Sequence, residues 1–342
     1  MGIHNFYYGW LKNHGFRGVL QNYLPGNICS LLIDANGIIH RTAQKVYATG
    51  AIEAESDPSS SRYRKSKEEE EMRKRMNKLK NKANKKWRQG PKVFNTWLEK
   101  LQNLHFQAIT TEILTLLSST DTTDLVIISI DGSAPVAKMN QQRGRRFLSG
   151  EKRIRYTYEN NASYPWPLFD SNSITPGTDF MFKLDKYLKE WLGRQATNLP
   201  VTVKYYSHMV PGEGEHRIMD DIRSGYVQEK CEDGMHVIYG SDSDLAMLGL
   251  IAPIAGLFIA RDNLTDVINI SRFRDAIFEL LGTNTALHDF VVMFFLVGND
   301  FLPRPPSMEN IWMSIDRLVE IYTEMNGSSS GEIIDGPFSL TN

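Results

Sequence analysis

The sequence predicts an α/β fold: a central, mostly parallel sheet with helices on both faces and an acidic site at the carboxyl ends of the strands. Two observations support this prediction. Short, continuous apolar segments recur along the chain, and helical patterns separate them. A strand that is apolar on both faces is covered on both faces, as in parallel sheets. Strands that alternate with helices favour the same architecture.

Five apolar segments are predicted as strands, at residues 29–33, 125–130, 201–206, 236–239 and 257–260. The spacing of apolar residues predicts helices over residues 94–117, 179–192, 215–224, 244–250, 271–281 and 287–297. Acidic residues follow three of the strands: Asp34 the first, Asp131 the second, and Asp242 with Asp244 the fourth. Because ligands bind at the carboxyl ends of parallel strands, we expect these acids to converge on one edge of the sheet.

The composition restricts the classes of function. The formal net charge is -1, so nucleic-acid binding would have to come from local patches. With two cysteines, Cys29 and Cys231, and no zinc-type Cys/His spacing, we expect two reduced buried thiols. The N-terminus has no secretory signal pattern, and no apolar run approaches the roughly 18 residues that span a bilayer. The expected location is cytoplasmic or nuclear, without membrane contact.

One segment departs from the alternating pattern. Residues 62–92 are dense in Lys, Arg and Glu, and they follow the linker-like sequence SDPSSS. One interpretation is a basic helical arm that contacts nucleic-acid phosphates. The other, which is preferred, is a solvated charged helix or a disordered insertion, because charge runs are commonly solvated.

Acidic residues occur in five motifs, which are Asp34 in LIDANGIIH, Asp131 in IDGSAPVAK, Glu213 and Glu215 in VPGEGEHRIM, Asp242 and Asp244 in GSDSDLAML, and Asp300 in VGNDFLP. Each motif alone is also explained by helix capping or by the helix dipole. Together they suit two Mg²⁺ or Mn²⁺ ions about 4 Å apart, because such ions prefer oxygen ligands and such a pair needs several carboxylates. The set predicts a metal-dependent phosphodiesterase.

A cationic stripe follows the second acidic motif. Lys138, Gln142 and Arg145 are spaced four and seven residues apart, so a helix presents them on one face, with Arg146 adjacent. Arginine binds phosphate with two parallel hydrogen bonds. A solvated basic face is the alternative, but the proximity of Asp131 favours a pocket for a terminal phosphate.

These motifs, together with MGIHNFYYGWL and SITPGTDFM, resemble the XRN-type 5′→3′ exoribonuclease family from residue 1 to about residue 303. More broadly, they resemble the flap-endonuclease/PIN-like superfamily and its fold. The resemblance implies hydrolysis of single-stranded, 5′-monophosphorylated (decapped) RNA to nucleoside 5′-monophosphates with two Mg²⁺ or Mn²⁺ ions. It assigns to the metal site Asp34, Asp131, Glu213, Glu215, Asp242, Asp244 and Asp300. It assigns Lys138, Gln142, Arg145 and Arg146 to the 5′-phosphate pocket, and His40 to stacking on the first base.

The resemblance also predicts the organisation of the chain. A nuclease domain is expected over residues 1–325, with the charged helical or disordered insertion at about 52–92 and a linker-like tail at 326–342. The family usually continues into a second conserved region, so a chain of this length is expected to be a fragment or a compact homologue, such as a viral one. A structure-specific flap-type DNA nuclease is the alternative function, and a non-catalytic RNA-binding protein is the third.

Overall fold

The computed structural model of the 342-residue chain describes residues 10–49, 67–159, 164–195, 199, 201–232, 234–261, 264–282, 286–299, 302–303, 305–308 and 310–328. Within these ranges seven strands form one sheet, and they are β1 (Leu20–Gln21), β2 (Ile28–Asp34), β3 (Leu125–Ser129), β4 (Thr202–Tyr206), β5 (Met235–Tyr239), β6 (Leu257–Arg261) and β7 (Asp266–Asn269). Their order across the sheet is β1-β7-β6-β5-β2-β3-β4. Strands β2 to β6 run parallel, whereas β7 pairs antiparallel with β6, and β1 antiparallel with β7.

The helices in the described ranges are α1 (Lys12–His14), α2 (Asn36–Tyr47), α3 (Lys67–Arg88), α4 (Pro91–Thr120), α5 (Val136–Glu159), α6 (Asp179–Gln195), α7 (Gly214–Arg223), α8 (Tyr226–Lys230), α9 (Leu245–Leu250), α10 (Ile270–Leu281), α11 (Ala286–Leu296) and α12 (Ile311–Ser328). Local chemistry explains several boundaries. Helix α4 begins at Pro91, whose fixed φ suits a first helical turn. The side chain of Asn269 caps α10 by accepting a hydrogen bond from the amide of Arg272.

The sheet lies between two layers of helices, each with its own apolar core. Successive residues of a strand point to opposite faces, so Leu32 and Ile127 pack with α7, α9, α10 and α11. Their neighbours Leu31 and Val126 pack with α2, α4 and α6 on the other face. All four side chains are fully buried. The prediction of a mostly parallel sheet with helices on both faces is therefore confirmed.

The predicted strands and helices all correspond to elements of the structure, but several other elements were not predicted. Strands β1 and β7, which are short and antiparallel, form one edge of the sheet. Helix α5 extends for 24 residues and so continues well beyond the predicted cationic stripe at residues 138–146. The expectation of two buried thiols is confirmed, because Cys29 and Cys231 are buried and form no disulfide. None of the helices in the described ranges is long and apolar enough to cross a lipid bilayer.

A third, smaller core lies beside the two main ones and contains part of the charged segment. Helix α3 contributes Met76 and Ala83 to it, and these side chains pack with Tyr47 at the end of α2, Trp97 of α4 and Tyr156 of α5. The described part of the charged segment is thus a helix docked by one face. Residues 51–66 lie outside the described residues, and the division of the chain at residue 325 stays a prediction.

Candidate active site

Three neighbouring strands bring the predicted acids together at one edge of the sheet. Asp34 is the last residue of β2, Asp131 lies two residues beyond β3, and Asp242 three residues beyond β5. The chain leaves β2 toward β3 on one side and later returns to β5 on the other side. The site therefore lies at a topological switch point, where open parallel sheets bind their ligands.

A cavity of about 500 Å³ opens at this edge. Most of the residues predicted for the site line it, namely Asp34, His40, Asp131, Lys138, Gln142, Arg145, Arg146, Glu213, Glu215 and Asp242. Asp244 is buried next to the cavity rather than in its wall. Its charge still raises the pKa of Asp34 and of Asp242. Asp300 lies outside the described residues, so its role stays a prediction.

The first turn of α7 brings two more carboxylates to the cluster. Glu213 precedes the helix and Glu215 lies in its first turn, and both are buried. Gly214 between them allows the close approach, because a Cβ there would lie 3.0 Å from Oδ1 of Asp34 and 3.2 Å from Oδ1 of Asp131. The amide of Gly214 also donates a 2.6 Å hydrogen bond to Oδ1 of Asp131.

Asn36 is a site residue to which the sequence assigned no role. Its Nδ2 donates to Oδ2 of Asp131, and its Oδ1 accepts from the amide of Asp131 at 3.2 Å. Its own amide donates to Oδ1 of Asp34 at 3.3 Å. Asn36 therefore links the end of β2 to the loop that follows β3 by hydrogen bonds. The signal was present in the LIDANGIIH motif, where the amide follows the acid by two residues.

Arg217 is a second residue that the sequence did not single out. Its guanidinium is buried and donates to the carbonyl oxygens of Ile130 at 2.9 Å, Val210 at 2.5 Å and Pro211 at 3.3 Å. These bonds tie the loop before α7 to the end of β3. The loop carries Glu213, so Arg217 positions that carboxylate without lining the cavity.

The close approach of the acids makes the cluster electrostatically unfavourable without a cation. Burial, followed by the charges of Asp131 and Asp242, raises the pKa of Asp34 well above its usual range. Burial and the same neighbours raise the pKa of Glu215 in the same way, with Asp34 the largest charge. Burial raises the pKa of Asp131 to about 6, although the hydrogen bond from Gly214 opposes this. Such shifts are expected where several carboxylates share one site.

The donor set fits divalent cations. Asp34, Glu215 and Asp242 place carboxylate oxygens within 4.8 Å of one another, as do Glu213, Glu215 and His216 with their ligand atoms. Oε2 of Glu213 and Oε1 of Glu215 are buried and have no hydrogen-bond partner among the described residues. Buried carboxylate oxygens without a hydrogen-bond partner are suited to coordinate a hard cation.

The opposite wall of the cavity is cationic. Nζ of Lys138 lies 2.6 Å from Oε1 of Glu213, so this lysine joins the acidic cluster to the first turns of α5. Burial lowers the pKa of Lys138, but the ion pair with Glu213 outweighs it, and the net shift is upward. Oε1 of Gln142 accepts a 3.1 Å bond from Arg146, while Arg145 faces the cavity from an exposed position.

A loop between α5 and α6 closes the cavity beside these cations. Ser171, Asn172, Thr175 and Pro176 line it, and all four belong to or precede the SITPGTDFM motif. Nδ2 of Asn172 donates to the backbone oxygen of Arg146 at 3.2 Å, so the loop supports the cationic helix. The sequence identified the motif but did not predict this position.

Comparisons with protein families give matches over most of the chain. Residues 76–263 match the family described as "XRN 5'-3' exonuclease N-terminus", and residues 281–340 match "Xrn1 helical domain". The first match includes every predicted site residue except Asp34, His40 and Asp300.

Individual relatives agree with these family matches. The chain is 32% identical to 5'-3' exoribonuclease 1 of Schizosaccharomyces pombe over 61% of its length, and 35% identical to 5'-3' exoribonuclease 1 of Saccharomyces cerevisiae over 59%. It spans only 18% and 16% of those proteins. These eukaryotic relatives give no support to a viral source.

A solved structure, "Crystal Structure of T5 D15 Protein Co-crystallized with Metal Ions", aligns with 70% of this chain and 77% of its own. The TM-score is 0.35 and the identity 11%, so this likeness supports no conclusion about function.

Proposed function

The chain belongs to the XRN 5′-3′ exonuclease family, and from that premise we propose that it removes nucleotides from the 5′ end of single-stranded RNA bearing a 5′-monophosphate. One observation carries the proposal. The carboxylates and the cationic residues of α5 line the same cavity, and the Lys138–Glu213 ion pair joins the two walls. The cationic wall is suited to hold a terminal phosphate. The carboxylate wall is suited to hold the cations that would act on the phosphodiester bond that is cut.

The cationic wall gives the reaction its direction. Lys138, Arg145 and Arg146 can bind the terminal phosphate through charge-assisted hydrogen bonds. The next phosphodiester would then face the carboxylates. Water attacks its phosphorus, and the bond to the 3′ oxygen of the first nucleotide breaks. The products are a nucleoside 5′-monophosphate and a shortened RNA that again carries a 5′-monophosphate, so the same pocket can bind it.

The same geometry explains why RNAs with other 5′ ends would be poorer substrates. If the γ-phosphate of a triphosphate occupied the cationic wall, the first phosphodiester would be displaced from the carboxylates by two phosphate units. A cap would displace it further. A 5′-hydroxyl end would lose the charge-assisted contacts, each worth about 1.5–3 kcal/mol. Decapped RNA is therefore the expected substrate class.

Divalent cations, Mg²⁺ or Mn²⁺, would be held by Asp34, Asp131, Glu213, Glu215 and Asp242, with Asp244 adjacent and Asp300 assigned by sequence alone. Two such ions would supply Lewis-acid stabilisation of the charge that develops on the phosphodiester. Asn36 and Arg217 position these carboxylates by hydrogen bonds to the strand ends and to the loop before α7.

His40 completes the proposed substrate site. It lies on α2, one helical turn beyond Asn36, and its exposed side chain lines the cavity near Arg145. An imidazole in this position can stack on the first base while Arg145 and its neighbours hold the phosphate. Stacking is tolerant of base identity, so the site would degrade RNA without strong sequence preference.

The test is decay of three otherwise identical RNAs that carry a 5′-monophosphate, a 5′-triphosphate or a 5′-hydroxyl, with Mg²⁺ or Mn²⁺ present. The proposal predicts release of mononucleotides from the monophosphate RNA, at least tenfold faster than from the others. Flap DNA serves as the second substrate, since internal cuts there would support the flap-type alternative. RNA binding without turnover would support the non-catalytic one. The expected substrates are cytoplasmic or nuclear RNAs, which fits the eukaryotic origin of the relatives.

A further inference from the structure

Helix α3 differs in charge from the rest of the molecule. Residues 72–92 contain ten Lys or Arg and no Asp or Glu, although the whole chain has a formal net charge of -1. A charged helix stabilised by its own ion pairs needs acids three or four residues from its bases. Here the acids are confined to Glu68–Glu71, so within residues 72–92 an acid lies at that spacing only from the bases at positions 73–75, of which Lys74 contacts Glu70. The bases from Lys78 to Arg88 have no acid at that spacing.

The packing of α3 fixes which face is free to bind. Met72, Met76, Leu79 and Ala83 point into the small third core. Lys78, Lys82 and Lys85 lie on the opposite side of the helix and are exposed. We call these three lysines the basic face. A docked apolar face and an exposed cationic face are typical of a surface that binds a polyanion.

The spacing within α3 also has an energetic consequence. Lys74, Lys78, Lys82 and Lys86 repeat at every fourth position, so each is a close neighbour of the next. Like charges at this spacing destabilise a helix. A bound polyanion would relieve that repulsion, because its phosphates would neutralise the lysines as counterions are released.

Helix α3 packs against α5, the helix whose cations line the candidate active site. Arg145 and Ser149 line the cavity on α5, and Lys152 and Tyr156 continue the same stripe at helical spacing. Oη of Tyr156 lies 3.3 Å from Nζ of Lys80 on α3. From Arg145 to Tyr156 the helix rises about 16 Å. Cations thus continue from the phosphate pocket, past the exposed Lys152, to Lys80 on the side of α3 that faces α5. An RNA that follows them would cross α3 to reach the basic face.

We propose that the basic face, with Lys152, binds the phosphate backbone of single-stranded RNA downstream of the nucleotide held in the cavity. The direction of the RNA rests on the proposed function, whereas the binding itself does not. Short RNAs would fill the cavity alone, and longer ones would also reach α3. The surface would therefore select for length and hold the substrate between cycles of cleavage, without reading its sequence.

The test compares two triple variants with the same change in net charge. The first is Lys78→Gln, Lys82→Gln, Lys85→Gln, and glutamine is a good helix former. The control is Lys186→Gln, Arg272→Gln, Arg317→Gln, which replaces exposed cations on α6, α10 and α12. Circular dichroism checks that both fold. Fluorescence anisotropy then measures binding of 5′-hydroxyl RNAs of about 5 and about 30 nucleotides in EDTA, so neither turnover nor the end phosphate contributes.

For the basic-face variant, we expect affinity for the longer RNA to fall about tenfold relative to the shorter RNA. The slope of log affinity against log salt should become shallower by about 2, as three contacts to a single strand require. The control should match the unmodified protein in both respects. An equal loss in both variants, or none in either, would overturn the proposal. So would loss of binding to phosphatidylserine vesicles with RNA affinity unchanged, which would indicate a membrane surface instead.

These measurements separate the two proposals. If the protein degrades no RNA but the longer RNA still depends on the basic face, the binding surface stands and the proposed activity fails. If 5′-monophosphate RNA is degraded and the two variants bind RNA equally, the activity stands and the surface fails.

Discussion

Nζ of Lys138 and Oε1 of Glu213 lie 2.6 Å apart, and the two side chains are 8% and 3% exposed. This buried ion pair joins the helix that carries the phosphate-binding cations to the turn that carries two of the acids. It therefore fixes the distance between the proposed anchor for the RNA end and the proposed catalytic cluster. A change in either partner should affect stability and activity together.

Lys138→Met should lower the free energy of unfolding by about 3 kcal/mol at neutral pH, because it leaves the Glu213 carboxylate buried without its partner. The double variant Lys138→Met, Glu213→Gln should recover most of that loss, since neither buried charge remains. Neither variant should degrade RNA. Urea denaturation measures the free energy of unfolding of the unmodified protein and of both variants, all without metal. A single variant as stable as the unmodified protein would show that the pair does not hold the two walls together.

Glu215→Gln should stabilise the metal-free protein at about pH 8 by on the order of 1–3 kcal/mol, because it removes a charge from a repulsive buried cluster. It should also abolish activity and weaken the stabilisation that added Mg²⁺ gives to the unmodified protein. Denaturation with EDTA and with Mg²⁺ tests both effects. Destabilisation by the amide in EDTA would contradict the assignment of Glu215 to a cation site.

The metal-free protein should become less stable as the pH rises from about 4 to above 6. Burial and mutual repulsion raise the pKa values of Asp34, Asp131 and Glu215, with that of Asp131 at about 6. In this interval the folded protein binds more protons than the unfolded chain, so the stability is present at low pH and is lost as the pH rises through the folded-state pKa values. Urea midpoints in EDTA at about pH 5, 6, 7 and 8 measure the slope. Saturating Mg²⁺ should flatten or reverse it, because the cation replaces the protons.

The sequence predicted the positions of the acids for a physical reason that the structure bears out. Buried parallel strands such as β2 and β3 have continuous apolar runs, and the polar residue that ends each run must lie at the sheet edge. Asp34 and Asp131 could therefore be placed together from their own neighbours. Whether they bind metal remains a proposal, because position at a strand end is compatible with capping as well.

Other features depended on contacts that sequence spacing does not encode. The role of Asn36 arises from a hydrogen bond to Asp131, 95 positions away. Arg217 donates to the carbonyl oxygen of Ile130, which lies directly after β3 and 87 positions away, so no local pattern identifies this contact. The two-residue strand β1 pairs with β7 from the far end of the chain and is too short to show periodicity. The charged segment was ambiguous because its apolar side chains are few, and only their packing on α2 and α4 distinguished a docked helix from a solvated one.

Gly214→Ala should reduce the activity of the site more than it affects the stability of helix α7. The added Cβ would lie 3.0 Å from Oδ1 of Asp34 and 3.2 Å from Oδ1 of Asp131, so one of these carboxylates must shift. We expect at least a tenfold loss of activity, since catalytic groups tolerate little displacement. Gly193→Ala is the matched control, because no atom lies within 4 Å of its added Cβ inside α6. It should raise stability by about 0.5–1 kcal/mol and leave RNA decay unchanged. Equal activity of the two variants would argue against close packing at Gly214.

The central claim is that the cationic wall made by α5 selects the 5′-monophosphate. The most direct test measures kcat/KM on 5′-monophosphate and 5′-hydroxyl RNA for the unmodified protein, for Arg145→Ala and for Arg155→Ala, a control on the same helix whose side chain pairs with Glu151 outside the cavity. The ratio should fall about 10- to 100-fold in Arg145→Ala, as expected for a lost charge-assisted hydrogen bond, and stay unchanged in Arg155→Ala. Equal rates on the two RNAs for the unmodified protein, or an unchanged ratio in Arg145→Ala, would contradict the account.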